Sequence, residues 1–400
     1  MALTQEQREW LTLTLVPGVG TTLFIRLLAR FRTAGAVLRA PKRALQDIVG
    51  DKLAQRITQY SDVVDVEAQE RAMAKLGVTL LTMEDPKYPL RLAEIYDPPL
   101  VLFVHGELRE EDQNCVAVVG TRRATPYGLR MAEKFGREMG ARGVTVVSGL
   151  ALGVDAAAHQ GAIDAGGRTI AVLGCGVDVV YPPQNADLMQ EITKHGCVVS
   201  QFPMGMKPSA GHFPYRNRII SGMTMGTLVV EAPLSSGALI TARQAAEQGR
   251  EVFAVPGQVG VLNSQGPHLL IREGAKLVET VEDILVELNL PTDVRADRPQ
   301  SVAAPPPQHT PNADAPPVQT PLAPTAPPSP PRAANQPAEK VAPPDGLERM
   351  VLKALSPNGT YVDEISAACR ISISDALSTL TILELKGLVR QFSGKRFAPR

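Results

Sequence analysis

Hydrophobic and polar positions follow two different periods along the chain. Residues 1–80 place apolar side chains at helical spacing, and the stretch REWLTLTLVPGVGTTLFIRLLARF predicts two amphipathic helices around a Gly-rich turn. From Cys115 onward, the apolar residues come instead in short runs rich in valine and isoleucine. These runs are CVAVVG, VTVVSG, RTIAVLG, CVVSQF, TLVVEA, EVFAVPG and KLVET.

The short apolar runs predict strands of a parallel sheet with helices on both faces. Helical stretches such as LRMAEKFGREMGA and ITARQAAEQG separate most of the runs, and this alternation is typical of a buried parallel sheet. We therefore expect an α/β fold over residues 81–290, with an extended Rossmann-like, doubly wound and mostly parallel sheet. Residues 1–80 are expected to form a small helical domain, either SAM-like or of the helix-hairpin-helix type. In the second type the PGVG turn presents N–H groups to a phosphate, whereas in the first it only joins two helices.

The remainder of the chain divides at a proline-rich segment. Residues 291–344 hold half of the 34 prolines and almost no large apolar side chains, which predicts a disordered linker. Residues 345–400 follow the order of a winged-helix domain, with three helices and then a basic hairpin that turns at Ser393–Lys395. Domains of this type bind DNA or proteins, and the charge of this segment does not decide between them.

Composition limits the kinds of site that the chain can carry. The 41 basic and 41 acidic side chains cancel, so a polyanion site has to be local and built from a few focused cations. The four cysteines form no CxxC pair and no zinc spacing, so we expect neither disulfides nor a metal site. Since no apolar run is long enough to span a bilayer and no signal peptide is evident, the sequence predicts a cytoplasmic protein without membrane contact.

Candidate ligand-binding residues lie where the predicted strands end, which is where open α/β sheets bind ligands. The first strand ends in VVGTRRATPYG, with Gly120, Thr121, Arg122 and Arg123 before a helix. This is neither GxGxxG nor a P-loop, so a nicotinamide cofactor is not expected. A glycine turn, a hydroxyl and two guanidiniums at a helix N-terminus instead suit a phosphate.

Other strand ends carry small residues, hydroxyls and a second group of cations. The candidates are Ser148, Gly149 and Gly153 in VVSGLALG, Ser236 and Gly237 in VVEAPLSSG, and Phe213, Arg216, Asn217 and Arg218 in GHFPYRNRIISG. Asp155 is expected to cap the following helix and His159 to pack inside the protein. Since no nucleophile lies beside a base in the sequence, the pattern favours binding of a long anion over catalysis and predicts no cofactor.

Several motifs, in this order, resemble those of the DprA/Smf family (DNA-processing protein A). They are DPKYPLRLAEIYDPPLVLFVHG, VVGTRRATPYG, SGLALGVDAAAH, HFPYRNRIISG, EAPLSSGALITA and NSQGPHLLIREGA, and together they cover residues 85–280. The helical N-terminal region and the winged-helix tail also resemble the long members of the family. Family members often have serine where Thr121 stands and isoleucine where Val154 stands, and both replacements are mild.

The resemblance implies a homodimer that binds single-stranded DNA without sequence preference, protects incoming strands and loads the RecA recombinase during natural transformation. It implies no reaction, and it makes single-strand-binding protein a further partner. The family's dimer contact is expected around residues 270–278. By motif, the implied DNA-binding residues are Gly120, Thr121, Arg122, Arg123, Ser148, Gly149, Phe213, Arg216, Asn217 and Arg218. The strand ends add Gly153, Ser236 and Gly237 to this set.

Two alternatives from other functional classes stay open at this point. The first is a nucleotide phosphoribohydrolase similar to the LOG family, which would use Glu231 and Arg216. Against it, the stretch MTMGTLVVEAP lacks the Gly-Gly pair of that family, and Arg-Asn stands where that family has Arg-Lys. The second is a scaffold whose terminal domains bind only proteins.

Overall fold

The computed structural model describes residues 3–290 and most of the C-terminal region. The described C-terminal residues are 346–356, 359–369, 371, 375–376, 379–380, 383, 388–392 and 396–399. The predicted linker 291–344 lies outside the described residues. Contacts divide the chain into two compact units, Met1–Ala304 and Pro305–Arg400, and each unit is described by itself.

Helices fill the first part of the first unit, as the apolar spacing predicts. They are α1 (Gln5–Leu15), α2 (Thr21–Phe31), α3 (Ala34–Leu38), α4 (Lys42–Val49), α5 (Asp51–Thr58) and α6 (Val66–Leu76), with a 3-10 turn at Tyr60–Asp62. Helix α1 begins at a capping box between Thr4 and Gln7. In the turn between α1 and α2, Gly18 has a φ of +102°, which favours glycine. The two helices meet through Trp10 and Phe24, whose ring centroids lie 4.6 Å apart.

Within the described residues, nine strands form one mostly parallel sheet in the order β1-β2-β6-β5-β4-β3-β7-β8-β9. They are β1 (Thr79–Thr82), β2 (Val101–Gly106), β3 (Cys115–Val119), β4 (Thr145–Ser148), β5 (Thr169–Val172), β6 (Gly196–Ser200), β7 (Gly226–Val229), β8 (Glu251–Ala254) and β9 (Lys276–Leu277). Strand β2 pairs antiparallel with both β1 and β6, and all other pairs are parallel. Each of the seven apolar runs from Cys115 onward overlaps one of the strands β3–β9.

Helices cover both faces of this sheet, so the predicted doubly wound fold is confirmed. They are α7 (Leu90–Ala93), α8 (Pro126–Ala141), α9 (Val154–Asp164), α10 (Ala186–His195), α11 (His212–Met223), α12 (Gly237–Glu247), α13 (Gln265–Arg272) and α14 (Val281–Glu287), with 3-10 turns at Glu110–Gln113, Pro183–Asn185 and Leu262–Ser264. Alternate residues of β3 serve the two faces. Ala117 packs in the cluster of α11 and α12, whereas Val116 packs in the cluster of α8, α9 and α14.

The N-terminal helices share a hydrophobic core with the sheet. Trp10 and Phe24 belong to the same buried cluster as Leu80, Phe103 and Val198 of the strands. Strand β1 begins before residue 80 and ends after it, so the boundary expected there falls inside a strand. The division of the first unit into domains 1–80 and 81–290 stays a prediction.

The second unit has the winged-helix order. Its described elements are α15 (Gly346–Ala354), α16 (Val362–Cys369), β10 (Thr360–Tyr361), β11 (Val389–Phe392) and β12 (Arg396–Pro399). The strands pair antiparallel in the order β10-β12-β11. Val351, Ile365, Leu383 and Phe397 form part of the core of this unit. The predicted third helix is described only in part, and the hairpin turn at 393–395 lies outside the described residues.

Candidate nucleic-acid interface

A cleft of about 660 Å³ opens at the carboxyl ends of β3 and β7. Strand β3 pairs with β4 on one side and with β7 on the other, so the chain order reverses here, and a crevice forms at such a switch point. We use "the cleft" for this space. Its walls include Gly120, Thr121, Arg122, Arg123, Asp155, Tyr181, Ser209, Phe213, Pro214, Arg216, Asn217, Ser235, Ser236 and Gly237.

Arg122 and Arg123 supply exposed positive charge to the cleft. Among the described residues, neither guanidinium has a hydrogen-bond or ion-pair partner, although the carbon of the Arg122 guanidinium lies 5.3 Å from the Phe213 ring centroid. Their loop is nevertheless fixed: the Thr121 N–H donates to the Glu231 carbonyl at 2.7 Å, and the Arg123 N–H donates to Thr121 Oγ1 at 3.2 Å. The two cations therefore project from an ordered turn and remain available to an anion.

Arg216 supplies a third, buried cation from helix α11. Its side chain lines the cleft, yet the residue is only 4% exposed. Its Nη1 donates to the Gly149 carbonyl at 3.0 Å and its Nε to Asn217 Oδ1 at 3.3 Å. Burial lowers the pKa of Arg216 to about 10, while the nearby Asp155 charge acts in the opposite direction. The guanidinium therefore stays protonated at neutral pH and is held in one position.

Asp155 holds the loop in front of helix α9. Its Oδ2 accepts from the N–H groups of Gly149 (3.1 Å) and Ala151 (3.3 Å), and burial raises its pKa although the charge of Arg216 opposes this. The expectation that Asp155 caps α9 is wrong, since the N-cap is Gly153 and Asp155 lies in the first helical turn. Its carboxylate points toward the preceding turn, because the N–H groups of Gly149 and Ala151 are directed at it.

His159 packs inside the protein, as expected. Its Nδ1 lies 2.6 Å from Thr169 Oγ1 and the residue is fully buried. Burial lowers the pKa of this imidazole to about 3. The side chain is therefore neutral at physiological pH and does not line the cleft.

Three of the small candidate residues shape the cleft from behind its surface. Ser148 is fully buried and donates to the Val118 carbonyl at 2.6 Å. Gly149 carries the carbonyl that Arg216 binds. Gly153 has a φ of +81°, and a Cβ there would clash with the Thr121 carbonyl oxygen. These three residues therefore support the turn at residues 120–123, while Gly120 and Thr121 reach the cleft itself.

Aromatic rings form one end of the cleft. Phe213 is half-buried at the start of α11, and the Tyr181 ring lies beside it with centroids 5.4 Å apart. Phe213 is thus part of the wall and does not belong to the hydrophobic core. Sequence reasoning missed Tyr181, although an aromatic residue before two prolines, shortly after β5, is a signal that could have drawn attention to it.

The tandem RNR residues of α11 face in different directions. Asn217 lines the cleft, and its Nδ2 donates to the Gly237 carbonyl at 3.3 Å. Arg218 is buried on the other side, where its Nη2 donates to Gln201 Oε1 at 2.7 Å. The guanidinium carbon of Arg218 also lies 4.3 Å from the centroid of the Tyr215 ring. This matches the interpretation that one arginine faces the pocket while the other braces a neighbouring segment.

The N-terminus of α12 completes the opposite wall of the cleft. Ser236 caps the helix by accepting from the Ala238 N–H at 3.3 Å. Gly237 is exposed, and a side chain at this position would meet open space. The wall therefore presents a hydroxyl and unobstructed backbone to the cleft, which suits an anion at the positive end of a helix.

Glu231 does not line the cleft. Its buried carboxylate accepts from the Thr125 N–H (2.9 Å), from Thr125 Oγ1 (2.5 Å) and from Asn263 Nδ2 (3.2 Å). These bonds tie three loops together behind the site. The pair that a LOG-like hydrolase would use is therefore split, with Arg216 in the cleft and Glu231 outside it.

The structure also bears on metals, thiols and membranes. In the described parts of the chain, no three His, Cys, Asp or Glu side chains come together as metal ligands. All four cysteines are buried and unpaired. No described helix combines the length and the apolar character needed to cross a bilayer.

Comparison with known proteins places the chain in a family. The family model described as DNA recombination-mediator protein A matches residues 79–289, and the DprA winged helix domain model matches residues 302–395. Protein Smf of Synechocystis sp. is 35% identical over 407 residues, which is 99% of each chain. DNA processing protein DprA of Streptococcus pneumoniae is 46% identical over 51% of this chain and 72% of its own length. The X-ray structure of DprA from this organism superposes with a TM-score of 0.63 at 36% identity and covers 72% of this chain and 99% of its own. Since these matches extend over the sheet and the C-terminal unit alike, the chain belongs to the DprA/Smf family of DNA-processing proteins.

Proposed function

We propose that the cleft binds single-stranded DNA without sequence preference. The observation that carries this proposal is the combination of two unpaired arginines, Arg122 and Arg123, with a fixed buried cation, Arg216, at the switch point of the sheet. A single strand needs cations along its phosphates and flat side chains for its bases. Phe213 and Tyr181 offer such rings at one end of the cleft.

The content of the cleft favours binding over catalysis. Among the described residues that line it, Asp155 is the one carboxylate, and there is no histidine or cysteine. The Asp155 carboxylate already accepts two backbone N–H groups, so it is poorly placed to take a proton from a substrate. We therefore propose a binding protein that has no reaction and no cofactor of its own.

The wider role that we propose is recombination mediation in the cytoplasm. The chain would act as a homodimer, protect an incoming strand during natural transformation and load RecA onto it, with single-strand-binding protein as a further partner. The matching family model carries the description recombination mediator, and relatives are named DNA processing proteins, which supports this role. We propose the segment Leu270–Val278, which covers the end of α13 and strand β9, for the dimer contact.

The test is a titration of fluorescent oligo-dT at several salt concentrations, beside a nucleoside-monophosphate hydrolysis assay. We expect salt-sensitive binding with a preference for single strand over duplex, because bound cations release counterions. The slope of log K against log salt is negative. The double substitution Arg122→Ala with Arg123→Ala should make it shallower by about 1.4, since each phosphate contact on a single strand contributes about 0.7. The thermal stability should fall by no more than about 1 kcal/mol, because neither guanidinium has a hydrogen-bond or ion-pair partner in the described structure and the Phe213 ring is the one contact that Arg122 loses there.

A matched pair of substitutions in the tail, Arg390→Ala with Lys395→Ala, serves as the control. We expect it to change oligo-dT affinity much less than the cleft pair does. Equal losses would mean that the winged-helix unit shares the binding. Release of a base from a nucleotide, without oligo-dT binding, would refute the proposed function and favour the hydrolase.

A further inference from the structure

The first turn of α11 carries an exposed aromatic residue just outside the cleft. Pro214 still lines the cleft, and Tyr215, the next residue, remains 46% exposed. The Arg218 guanidinium packs on the Tyr215 ring, with its central carbon 4.3 Å from the ring centroid. The Tyr215 hydroxyl donates to Asp97 Oδ2 at 3.2 Å, which connects this ring to the loop after α7.

That loop presents a second tyrosine, which the fold does not use. Tyr96 is 99% exposed and has no hydrogen bond or ring contact with any described residue. The connection carries two carboxylates, and each lies near a cation: Arg218 Nε is 3.4 Å from Asp97 Oδ2, and Arg250 Nη2 is 3.6 Å from Glu94 Oε2, so their charges are partly offset. Because the ring of Tyr96 is not buried, it contributes nothing to the packing of the fold, but it is free to stack on a nucleic-acid base.

The same loop reaches the N-terminal helices. The carbonyl of Pro98 accepts from Thr21 Oγ1, at the first residue of α2, at 3.3 Å. Residues 18–58, which include α2–α5, carry eight basic and two acidic side chains, a net charge of +6 in a chain whose total is zero. Arg26 and Arg30 lie four apart on α2, so they project from the same face, and both are exposed. Neither has a hydrogen-bond or ion-pair partner among the described residues.

We propose that a single strand leaving the cleft runs over Tyr215 and Tyr96 onto the face of α2 that carries Arg26 and Arg30. We call these four residues the exit path. This inference rests on the proposed function of the cleft and extends it by a second segment of the binding surface. The two rings supply stacking platforms, and the two arginines supply phosphate contacts, which together are the components of non-specific single-strand binding. The positive charge of α2–α5 thereby gains a role that packing of the helices does not require.

The experiment compares two lengths of oligo-dT on the full chain, about 6 nucleotides to fill the cleft and about 20 to reach the exit path. We expect Tyr96→Ala to raise the Kd of the longer oligonucleotide about five-fold or more, the value that corresponds to loss of one stacked base. Tyr96→Phe keeps the ring and should keep the affinity. Arg26→Ala with Arg30→Ala should make the slope of log K against log salt shallower by about 1.4 for the longer oligonucleotide. The Kd of the shorter oligonucleotide should not change in any of these variants.

A matched control is available on α6. Arg71 and Lys75 are also exposed, lie four apart and have no described partner, so Arg71→Ala with Lys75→Ala removes the same charge from a different face. We expect this control to affect neither length. If the exit-path variants leave the longer oligonucleotide unaffected, or weaken both lengths equally, the path is wrong while the cleft proposal stands. If the intact chain binds neither length, the proposed function itself fails and the path with it.

Discussion

Substitution of Arg216 by methionine tests whether the buried cation organises the cleft as well as binding phosphate. The guanidinium donates to the Gly149 carbonyl, and the N–H of the same glycine donates to Asp155. Methionine fills similar volume without a donor or a charge. The change therefore removes the hydrogen bonds to the Gly149 carbonyl and to Asn217 Oδ1, and it leaves the Asp155 carboxylate buried without its nearby positive charge.

The expected loss of stability follows from these contacts. A buried carbonyl that loses its partner costs about 1–3 kcal/mol. A loss of about 2 kcal/mol lowers the melting temperature of a unit that runs from Met1 to Ala304 by about 3 °C, because the unfolding entropy is about 2.1 cal/mol/K per residue. The buried Asp155 charge causes a further loss of unfolding free energy. This second loss depends on pH, so it can be separated from the loss at the Gly149 carbonyl.

The sign of the pH dependence follows from the raised pKa of Asp155. Burial raises that pKa above the unfolded value of about 3.9, so the folded state binds the proton more tightly. The contribution of Asp155 to the free energy of unfolding therefore falls as the pH rises through the interval between the two pKa values. Without the positive charge of Arg216, the folded pKa rises further and this interval widens. The destabilisation by Arg216→Met should thus be largest at neutral pH and smaller near pH 4.

Thermal unfolding between about pH 4 and pH 7.5 measures this effect. The double variant Arg216→Met with Asp155→Asn is the control, because asparagine can still accept the two N–H groups but carries no charge. We expect it to recover the pH-dependent part of the stability and none of the oligo-dT affinity. An Arg216→Met protein that is as stable as the parent at pH 7.5, or whose loss does not vary with pH, would refute the reasoning.

Two further predictions concern the supports of the cleft. Gly153→Ala should destabilise the protein by about 1–3 kcal/mol and weaken oligo-dT binding, because the positive φ and the Thr121 carbonyl oxygen both exclude a side chain. Thermal unfolding measures the loss of stability, and a DNA titration measures the loss of affinity. Unchanged affinity would mean that the turn does not depend on Gly153. The buried His159 has its pKa lowered to about 3, so its ring signals in NMR should not titrate between pH 7 and pH 5, and its contribution to stability should fall as the pH drops below about 6.5. A His159 resonance that shifts with a midpoint near 6.5 would contradict its burial as a neutral ring.

The parallel part of the sheet could be predicted because each strand carries its own signal. Strands β3–β7 are buried along their whole length, so they appear as continuous apolar runs that alternate with helices, and the partly exposed β8 and β9 continue the same alternation. Strands β1 and β2 pair antiparallel, and between them stands only the four-residue helix α7. The alternation therefore fails at this edge, although VLFVHG is as apolar as the other runs.

The site could be predicted in its residues more than in their roles. Side chains two residues apart on a helix point about 200° away from each other, so the sequence predicts that Arg216 and Arg218 lie on opposite sides of α11. Which of them faces the cleft depends on the rotation of α11 about its axis, and that is fixed by Ile219 and Ile220 packing on the sheet. Tyr181 escaped prediction because it reaches Phe213 through the course of a loop, which no local pattern specifies.

The positions of the three cleft arginines indicate a division of labour. Arg216 already donates to a carbonyl and lies near a buried carboxylate, so part of its charge is offset within the protein. In the complex proposed above, its fixed position would cost no reordering, which suits Arg216 to set the geometry of the first phosphate. Arg122 and Arg123 carry no such offset, and their charges reach solvent. Most of the counterion release, and hence most of the salt dependence, should therefore come from these two exposed side chains, while Arg216 determines where the strand enters.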